Sequence, residues 1–291
     1  MTAEAPLVSV AMAMRNAERT LPAALASLAG QTYRNWELIL LDDGSTDGSV
    51  AAARRPADSR VTLRADGMHR GLATRLNEAI DLARGKYLAR MDADDVCYPE
   101  RFERQVAFLE THPDVDLLGT GAMVFAGEGA PLGLFPAQAR HEEICARPWA
   151  GFYLAHPTWI GRLEWFRRHR YDPTVTKAQD QDLLLRAWDS SRYAALVEPL
   201  LGYRQEALSL GKVLAGRYFF CRALVRKARA TGAPLFAVRG LTGQAAKALV
   251  ELVTVPTGLG RRILRHRAQP FPEREATRWR EVWRRFGGEG S

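Results

Sequence analysis

The sequence predicts an α/β protein built on a mostly parallel sheet, and three observations carry that prediction. Within the first 120 residues, short apolar runs alternate four times with helical patterns, the signature of βαβ units. The run Trp36 to Leu41 reads as apolar on both faces, as a strand covered from above and below does. Apolar residues make up 47% of 291 positions, enough to bury one large core or two modest ones.

Taken in order, Leu7 to Met14 reads as the first strand. A helix follows from Glu18, with Leu21, Leu25 and Leu28 at helical spacing and Gly30 as its stop. The strand Trp36 to Leu41 runs into Asp42-Asp43-Gly44-Ser45-Thr46-Asp47-Gly48, a turn whose capping residues start the next helix. Val61 to Leu63 is a short third strand, Leu72 to Ala83 a helix ending near Gly85, and Tyr87 to Met91 a fourth strand. From about Asp114 the pattern loosens. Strand-like segments lie at Val115 to Gly121 and Met123 to Phe125, and the Gly/Pro-rich stretch from Gly127 to Pro136 is expected to shape a site more than to build a sheet. Asp182 to Asp189 reads as a helix, and two or three basic helices are expected after Gln205, separated by Gly232, Pro234, Pro256 and Gly258. The sequence carries no internal repeat or low-complexity segment.

Charge is unevenly spread. From position 205 onward there are 17 basic and 6 acidic residues, a net +11, so the first 204 residues carry −3 of the overall +8. A basic tail can meet nucleic acid, anionic lipid or water, and charge alone does not choose among them. Cys97, Cys145 and Cys221 have no CxxC spacing and no clustered His partners, which argues against a disulfide framework or a zinc site and fits a reducing compartment. The N-terminus has no basic region ahead of its apolar run, and no apolar stretch approaches the roughly 18 residues that span a bilayer. The expected location is cytoplasmic, with peripheral association at the inner face of the membrane open to it.

The most informative segment is Ala89-Arg90-Met91-Asp92-Ala93-Asp94-Asp95, where three carboxylates follow an apolar strand. Open α/β sheets bind ligands at the carboxyl ends of their strands. Hard oxygen donors gathered there suit Mg²⁺ or Mn²⁺, which one or two carboxylates hold while a substrate's phosphates complete the shell. An acidic turn capping the helix that begins near Pro99 accounts for the same residues without a metal.

The segments around this motif decide between the two. Val8 to Glu18, Gln31-Thr32-Tyr33, Trp36 to Asp47, Asn77-Glu78-Ala79-Ile80 with Ala83 to Tyr87, and Met91 to Asp95 followed by Pro99-Glu100-Arg101 resemble the opening of family 2 glycosyltransferases in order and spacing over roughly residues 7 to 120. The resemblance implies a GT-A fold, a nucleotide-binding α/β sandwich with a mostly parallel mixed sheet, here followed by a C-terminal helical extension. It implies inverting transfer of a sugar from a nucleotide-diphosphate donor to a saccharide or lipid-linked acceptor, as in bacterial surface polysaccharide synthesis. Asp43 is then expected to contact the donor's base or ribose, its other role being to form the turn and cap the next helix. Asp92 and Asp94 match the family's DxD motif, Asp94 as the ligand of a divalent metal and Asp92 for the metal or the ribose, with Asp95 in support. Where the family often has Pro followed two residues later by Tyr or Phe, this chain has Ala13 and Arg15, and an arginine there can stack on a base or reach a phosphate.

Lys177 to Arg186 resembles the family's ED segment, whose aspartate is the general base on the acceptor hydroxyl. That residue is Asp180, with Gln179 in place of the usual Glu. A base must face the hydroxyl from the side opposite the leaving group, which calls for a loop separate from the metal acids, and 86 residues separate Asp180 from Asp94. Helix capping by Asp180 or Asp182 is the alternative. His156 lies ahead of the base where the family places acceptor-side residues, and Tyr203-Arg204 resembles a family YR element from which Arg204 can approach the diphosphate.

The chain is expected to divide into a catalytic domain at 1–204, with a donor half at 1–120 and an acceptor half at 121–204, and a basic helical extension at 205–291. Trp279, Trp283 and Phe286 fall at helical spacing in that extension, and the face they form can lie in a membrane interface or dock on the catalytic domain or a second subunit. Two rival functions are weaker. A nucleotidyltransferase would show a glycine-rich phosphate loop after the first strand, and Met14 to Glu18 has no glycine. A nucleic-acid binder has no need of Asp92, Asp94 and Asp180, and no zinc-finger or RRM signature is present.

Overall fold

The computed structural model describes residues 5–205, 209–257 and 270–287. Nine strands form one mixed sheet: β1 (Val8–Met14), β2 (Trp36–Asp42), β3 (Val61–Ala65), β4 (Tyr87–Arg90), β5 (Val96–Cys97), β6 (Leu117–Ala126), β7 (Ala130–Phe135), β8 (Ile160–Arg162) and β9 (Tyr193–Arg204). Their order is β3-β2-β1-β4-β8-β6-β9-β5, with β7 paired to β6. The first four neighbours run parallel, as the alternation of strand and helix dictates. Antiparallel β8 then couples them to β6, which runs parallel to β9.

Ten helices accompany the sheet among the described residues: α1 (Leu21–Ala29), α2 (Ser49–Arg54), α3 (Leu72–Leu82), α4 (Arg101–Thr111), α5 (His141–Ile144), α6 (Leu163–Arg168), α7 (Gln179–Ala187), α8 (Leu210–Thr231), α9 (Pro234–Thr254) and α10 (Glu273–Phe286). Side chains on a strand alternate between faces. Val8, Val10 and Met12 of β1 and Leu38 and Leu40 of β2 therefore pack under α1 and α4, while Ala11, Ile39 and Leu41 face α3, α6 and α7.

Two expectations are corrected here. The segments 115–121 and 123–125 are one continuous strand, β6, and the Gly/Pro-rich stretch 127–136 contains β7, which pairs with β6 across Ala122–Ala126. Gly127 and Gly129 both take positive φ, so the glycines turn a hairpin. A further strand, β9, was not anticipated, because Pro199 and Gly202 interrupt its pattern. Pro199 sits where the register with β6 shifts at Gly121, one of the places where a sheet tolerates proline.

The helices after residue 205 pack on this body. Phe220, Ala223 and Leu224 of α8 join the core around α7, and Trp279, Val282 and Phe286 of α10 close a third apolar cluster with Val96, Met123 and Phe125. Of the placements open to the aromatic face, the structure shows docking on the sheet: Trp279 is fully buried, donates to the Gly129 carbonyl at 2.7 Å, and lies against Gly202, where a Cβ would collide with its ring. Gly232 ends α8 with φ +65, while Gly258 lies outside the described residues.

Candidate active site

Parallel pairing aligns Met14 with Asp42 and Ala11 with Arg90, so the loops after β1, β2 and β4 emerge at one edge of the sheet. The first two are stitched together. Asn16 takes φ +51, a conformation asparagine tolerates, and its Oδ1 accepts the Thr46 amide at 2.9 Å. Ser49 Oγ accepts the Ala17 amide at 2.7 Å. A cavity of about 790 Å³ opens beside these loops, and Ala13, Arg15, Asp92, Asp94 and Arg204 line it with Trp283 of α10.

Asp43 lies behind that wall. Its carboxylate is buried and accepts the amides of Arg70 and Gly71, Nδ1–H of His69 at 2.7 Å and Nε–H of Arg75 at 3.2 Å. Burial raises its pKa, but those donors outweigh burial and hold it below the usual carboxylate range. Arg15 bonds Nε2 of the same histidine at 3.0 Å. Arginine only donates, so Nε2 must accept and Nδ1 must carry the proton that Asp43 receives. His69 thus links Asp43 to Arg15 at the cavity wall.

Asp92, Asp94 and Asp95 each offer a carboxylate oxygen within 4.8 Å of the other two. Arg90, itself buried, forks onto both oxygens of Asp92. Among the described residues no arginine forks onto Asp94 or Asp95 in this way. Although Asp94 is surface-exposed, desolvation of its carboxylate and the neighbouring Asp92 push it up to about 6, and burial with both neighbours raises Asp95 well above the usual range. Asp95 Oδ1 accepts the Arg204 amide at 2.8 Å, and its buried Oδ2 meets no donor among the described residues. An orphaned carboxylate oxygen among three mutually repelling acids fits a divalent cation.

Arg204 lines the first cavity with its guanidinium 4.6 Å from the Phe125 ring centre and 5.5 Å from that of Trp283, and it donates to the carbonyls of Gly127 and Asp94. Asp92 also borders a second cavity of about 350 Å³, which holds Arg90, His156, Asp180, Gln181 and Tyr203. Asp180 sits in the first turn of α7, two positions after Ala178, whose φ of +56 is strained for a residue with a Cβ. Gln181 holds that turn by accepting the Phe152 amide at 2.8 Å and donating to Asp180 at 3.1 Å. Burial raises the Asp180 pKa against the opposing bonds from Gln181. His156 Nε2 meets the Tyr171 hydroxyl at 2.7 Å, and burial with the nearby Arg90 charge drives its pKa far down, so it is neutral. Asp182 is buried between Arg186 and Arg226 and ties α7 to α8. Gln179 donates to the Thr176 carbonyl and holds the loop ahead of Asp180.

The family model for glycosyl transferase family 2 matches residues 9–170. The chain belongs to that family. EpsE of Bacillus subtilis (strain 168), a glycosyltransferase by name, is 36% identical over 209 residues, which is 69% of this chain and 74% of that protein. WfgD of Escherichia coli, named as a UDP-Glc:α-D-GlcNAc-diphosphoundecaprenol β-1,3-glucosyltransferase, is 36% identical over 103 residues, 35% of this chain and 41% of its own. Among solved structures, S. aureus TarS 1–349 in complex with UDP superposes with a TM-score of 0.60 at 21% identity over 75% of this chain and 65% of that one. Its complex with UDP-GlcNAc gives 0.64 at 16% identity over 94% and 79%. The family 2 chain therefore has the GT-A fold the sequence led us to expect, and it is a glycosyltransferase. Its matched stretch ends short of both Asp180 and Arg204, which share cavities with Asp92 or Asp94 only through the long-range folding of α7 and β9. Arg90, Gln181 and Tyr171 were not singled out from the sequence. Arg90 had a signal there, since a charge on a strand that is otherwise apolar and buried needs a partner.

Proposed function

We propose that this family 2 enzyme moves a sugar from a nucleoside diphosphate donor to an acceptor hydroxyl in a single displacement that inverts the anomeric carbon. The observation that carries the proposal is the second cavity, of about 350 Å³, which a carboxylate of raised pKa lines together with Asp92. Asp180 removes the proton from the acceptor hydroxyl, and its burial suits it to that task by making the carboxylate a stronger base. The first cavity takes the nucleotide, with Arg15 toward the base or a phosphate, Ala13 leaving room beside it, and Arg204 toward the diphosphate. Asp94, with Asp92 and Asp95, would hold Mg²⁺ or Mn²⁺. When bound, such an ion offsets the charge developing on the departing diphosphate.

TarS is solved in complex with UDP and with UDP-GlcNAc, and WfgD is named for an acceptor carrying a diphosphate-linked lipid. These names support a nucleotide sugar as donor and a lipid-linked or other saccharide acceptor in surface polysaccharide or glycolipid synthesis. Among the described residues no helix is long and apolar enough to cross a membrane, and peripheral attachment at the inner membrane face is the placement we propose. Residues 1–204 would form the catalytic unit and 205–291 the extension that completes its walls.

Thermal-shift measurements over a panel of nucleotide sugars, with and without Mn²⁺, test the donor half. A ligand at 100 times its Kd stabilises by about 2.7 kcal/mol, a shift of several degrees. The matching donor should produce it only with metal, and Asp94→Ala should remove it. If no nucleotide sugar shifts the melting point in Mn²⁺, the donor assignment is wrong.

A further inference from the structure

Arg15 and His69 meet from the loops after β1 and β3, and the bond between them matters unequally to its neighbours. Among the described residues, the His69 ring is the only group bonded to the Arg15 guanidinium, which it meets through Nε2 at 3.0 Å. Asp43 lies on the other side of that ring, 2.7 Å from Nδ1. Three further donors reach Asp43 without the ring: the Arg70 amide at 2.7 Å, the Gly71 amide at 3.0 Å and Nε–H of Arg75 at 3.2 Å. Loss of the imidazole would therefore leave Asp43 with three donors and Arg15 with no partner among the described residues.

The backbone that carries His69 is held without its side chain. The Met68 amide donates to Asp66 at 2.9 Å, the Met68 carbonyl accepts from the buried Arg75, and Asp43 takes the two amides that follow His69. Gly44, at φ +72, lets the turn after β2 close on this loop, since a Cβ there would come within 3.0 Å of the His69 amide nitrogen. The imidazole is 55% exposed, so it adds little to the core. What it adds is an acceptor. Because Nδ1 gives its proton to Asp43, the lone pair on Nε2 is left for Arg15 at the cavity wall.

We propose that His69 is a positioning residue for the nucleoside diphosphate, holding the Arg15 guanidinium at the wall of the first cavity before the donor arrives. An arginine that rotates in solvent must be ordered on binding, and ordering one such side chain costs about two- to tenfold in affinity. His69 meets that cost in the ligand-free protein. Only one arm of the guanidinium bonds the ring, so its other donors remain for the oxygen atoms of the ligand. This rests on the first cavity as the nucleotide site. It adds the residue that prepares Arg15, and it gives the buried Asp43 a task, which is to set the tautomer of the imidazole from behind the wall.

The test separates the two bonds of the ring, since an asparagine amide can stand in for Nδ1–H and a glutamine carbonyl for Nε2. UDP with Mn²⁺ is titrated by calorimetry into the full chain, and donor KM and kcat are measured beside it. His69→Asn keeps a donor for Asp43 and loses the acceptor for Arg15, so it should weaken UDP and raise donor KM by about two- to tenfold with kcat unchanged. His69→Gln keeps the acceptor and should stay within about twofold of the parent. With Arg15→Ala already in place, His69→Asn should change neither value. The reverse order, with His69→Asn like the parent and His69→Gln impaired, would mean that the ring serves the loop through Asp43, and it overturns the proposal. So does an undiminished effect of His69→Asn in the absence of Arg15. Imidazole ¹⁵N shifts of the ligand-free parent, in mildly alkaline buffer, test the arrangement with no substitution at His69. They should show Nδ1 protonated and Nε2 bare, with Nε2 moving in Arg15→Ala, and the opposite tautomer overturns the proposal. UDP binding that His69→Asn leaves unchanged removes the role of His69 and keeps the nucleotide site. A parent that binds no UDP removes the site, and the role of His69 with it.

Discussion

Asp92, Asp94 and Asp95 come from four consecutive residues after β4, whereas Asp180 reaches the same space from a loop that long-range contacts hold in place. On the donor side the chain needs only a strand that ends and a tight acidic turn. On the proposed acceptor side Asp180 depends on Gln181 bonding Phe152 across 29 residues, on Asp182 anchoring α7 to α8 through Arg226, and on Ala178 accepting a left-handed conformation. The donor wall is a local device and the acceptor wall is a tertiary one. Substitutions on the donor wall should therefore change binding of one ligand, while those on the acceptor wall should couple chemistry to stability.

The sharpest test is Asp180→Asn. Removing a general base lowers the transfer rate by about 10² to 10⁴. Asparagine cannot take the proton but can keep the bond to Gln181, so UDP affinity in Mn²⁺ should not change. The sign for stability follows from the raised pKa. Burial makes the ionised form the unfavourable one in the fold, so ionisation costs stability as pH rises past the unfolded value, and the neutral amide escapes that cost. The variant should melt no lower than the parent at neutral pH. In the parent, transfer should fall as pH drops through a point above the usual carboxylate range, since Asp180 must be ionised to act. A melting point well below the parent's would show that the carboxylate is structural.

Arg90 belongs to both walls, because it forks onto Asp92 and borders the cavity of Asp180. Removing one partner of a buried pair costs about 3–5 kcal/mol, and Asp92, at 30% exposure, places this one at the lower end. Arg90→Met should lower stability by about 3 kcal/mol and should weaken donor binding and transfer together. Adding Asp92→Asn should recover part of the stability by removing the uncompensated charge. Denaturant titration of the two singles and the double measures the coupling. Strict additivity would mean that the fork does not join the walls.

This contrast also explains what the sequence revealed. The parallel half of the sheet was legible because each strand and helix carries its own period, and the acidic triad because it is contiguous. Strand β9 was hidden by Pro199 and Gly202, whose tolerance depends on the bulge in β6 and on the ring of Trp279, both set by distant parts of the chain. Asp43 was legible as an important acid, but nothing local shows that His69, Arg75 and two amides consume its oxygens. The aromatic spacing of α10 showed that a face exists. Only the third apolar cluster, assembled from β5, β6 and β9, shows where that face goes.

Trp283 carries the tertiary principle into the donor wall, since it flanks the Arg204 guanidinium from a helix at the far end of the chain. A cation–π contact at a partly exposed site contributes about 0.5–1 kcal/mol, or roughly two- to fivefold in an equilibrium. Trp283→Leu keeps apolar volume against Phe125 and should raise the donor KM by about that factor with kcat unchanged. The same change in KM with Arg204→Ala already in place would show that Trp283 acts independently of the arginine.

The smallest effect is expected at Ala178, where two opposing terms can be set against each other. A left-handed conformation costs a residue with a Cβ about 1–2 kcal/mol, and glycine removes that cost. Glycine also gives the unfolded chain more freedom, which takes back about 0.4–1 kcal/mol. Ala178→Gly should therefore stabilise the protein by about 0.5 kcal/mol, read as a rise in denaturant midpoint at constant slope. The strained residue precedes the base by two positions, so relaxing it frees the turn that aims Asp180. Transfer should then slow modestly while UDP affinity stays fixed. If stability rises and transfer does not change, Gln181 alone sets the position of the base, and the strain at Ala178 is incidental to catalysis.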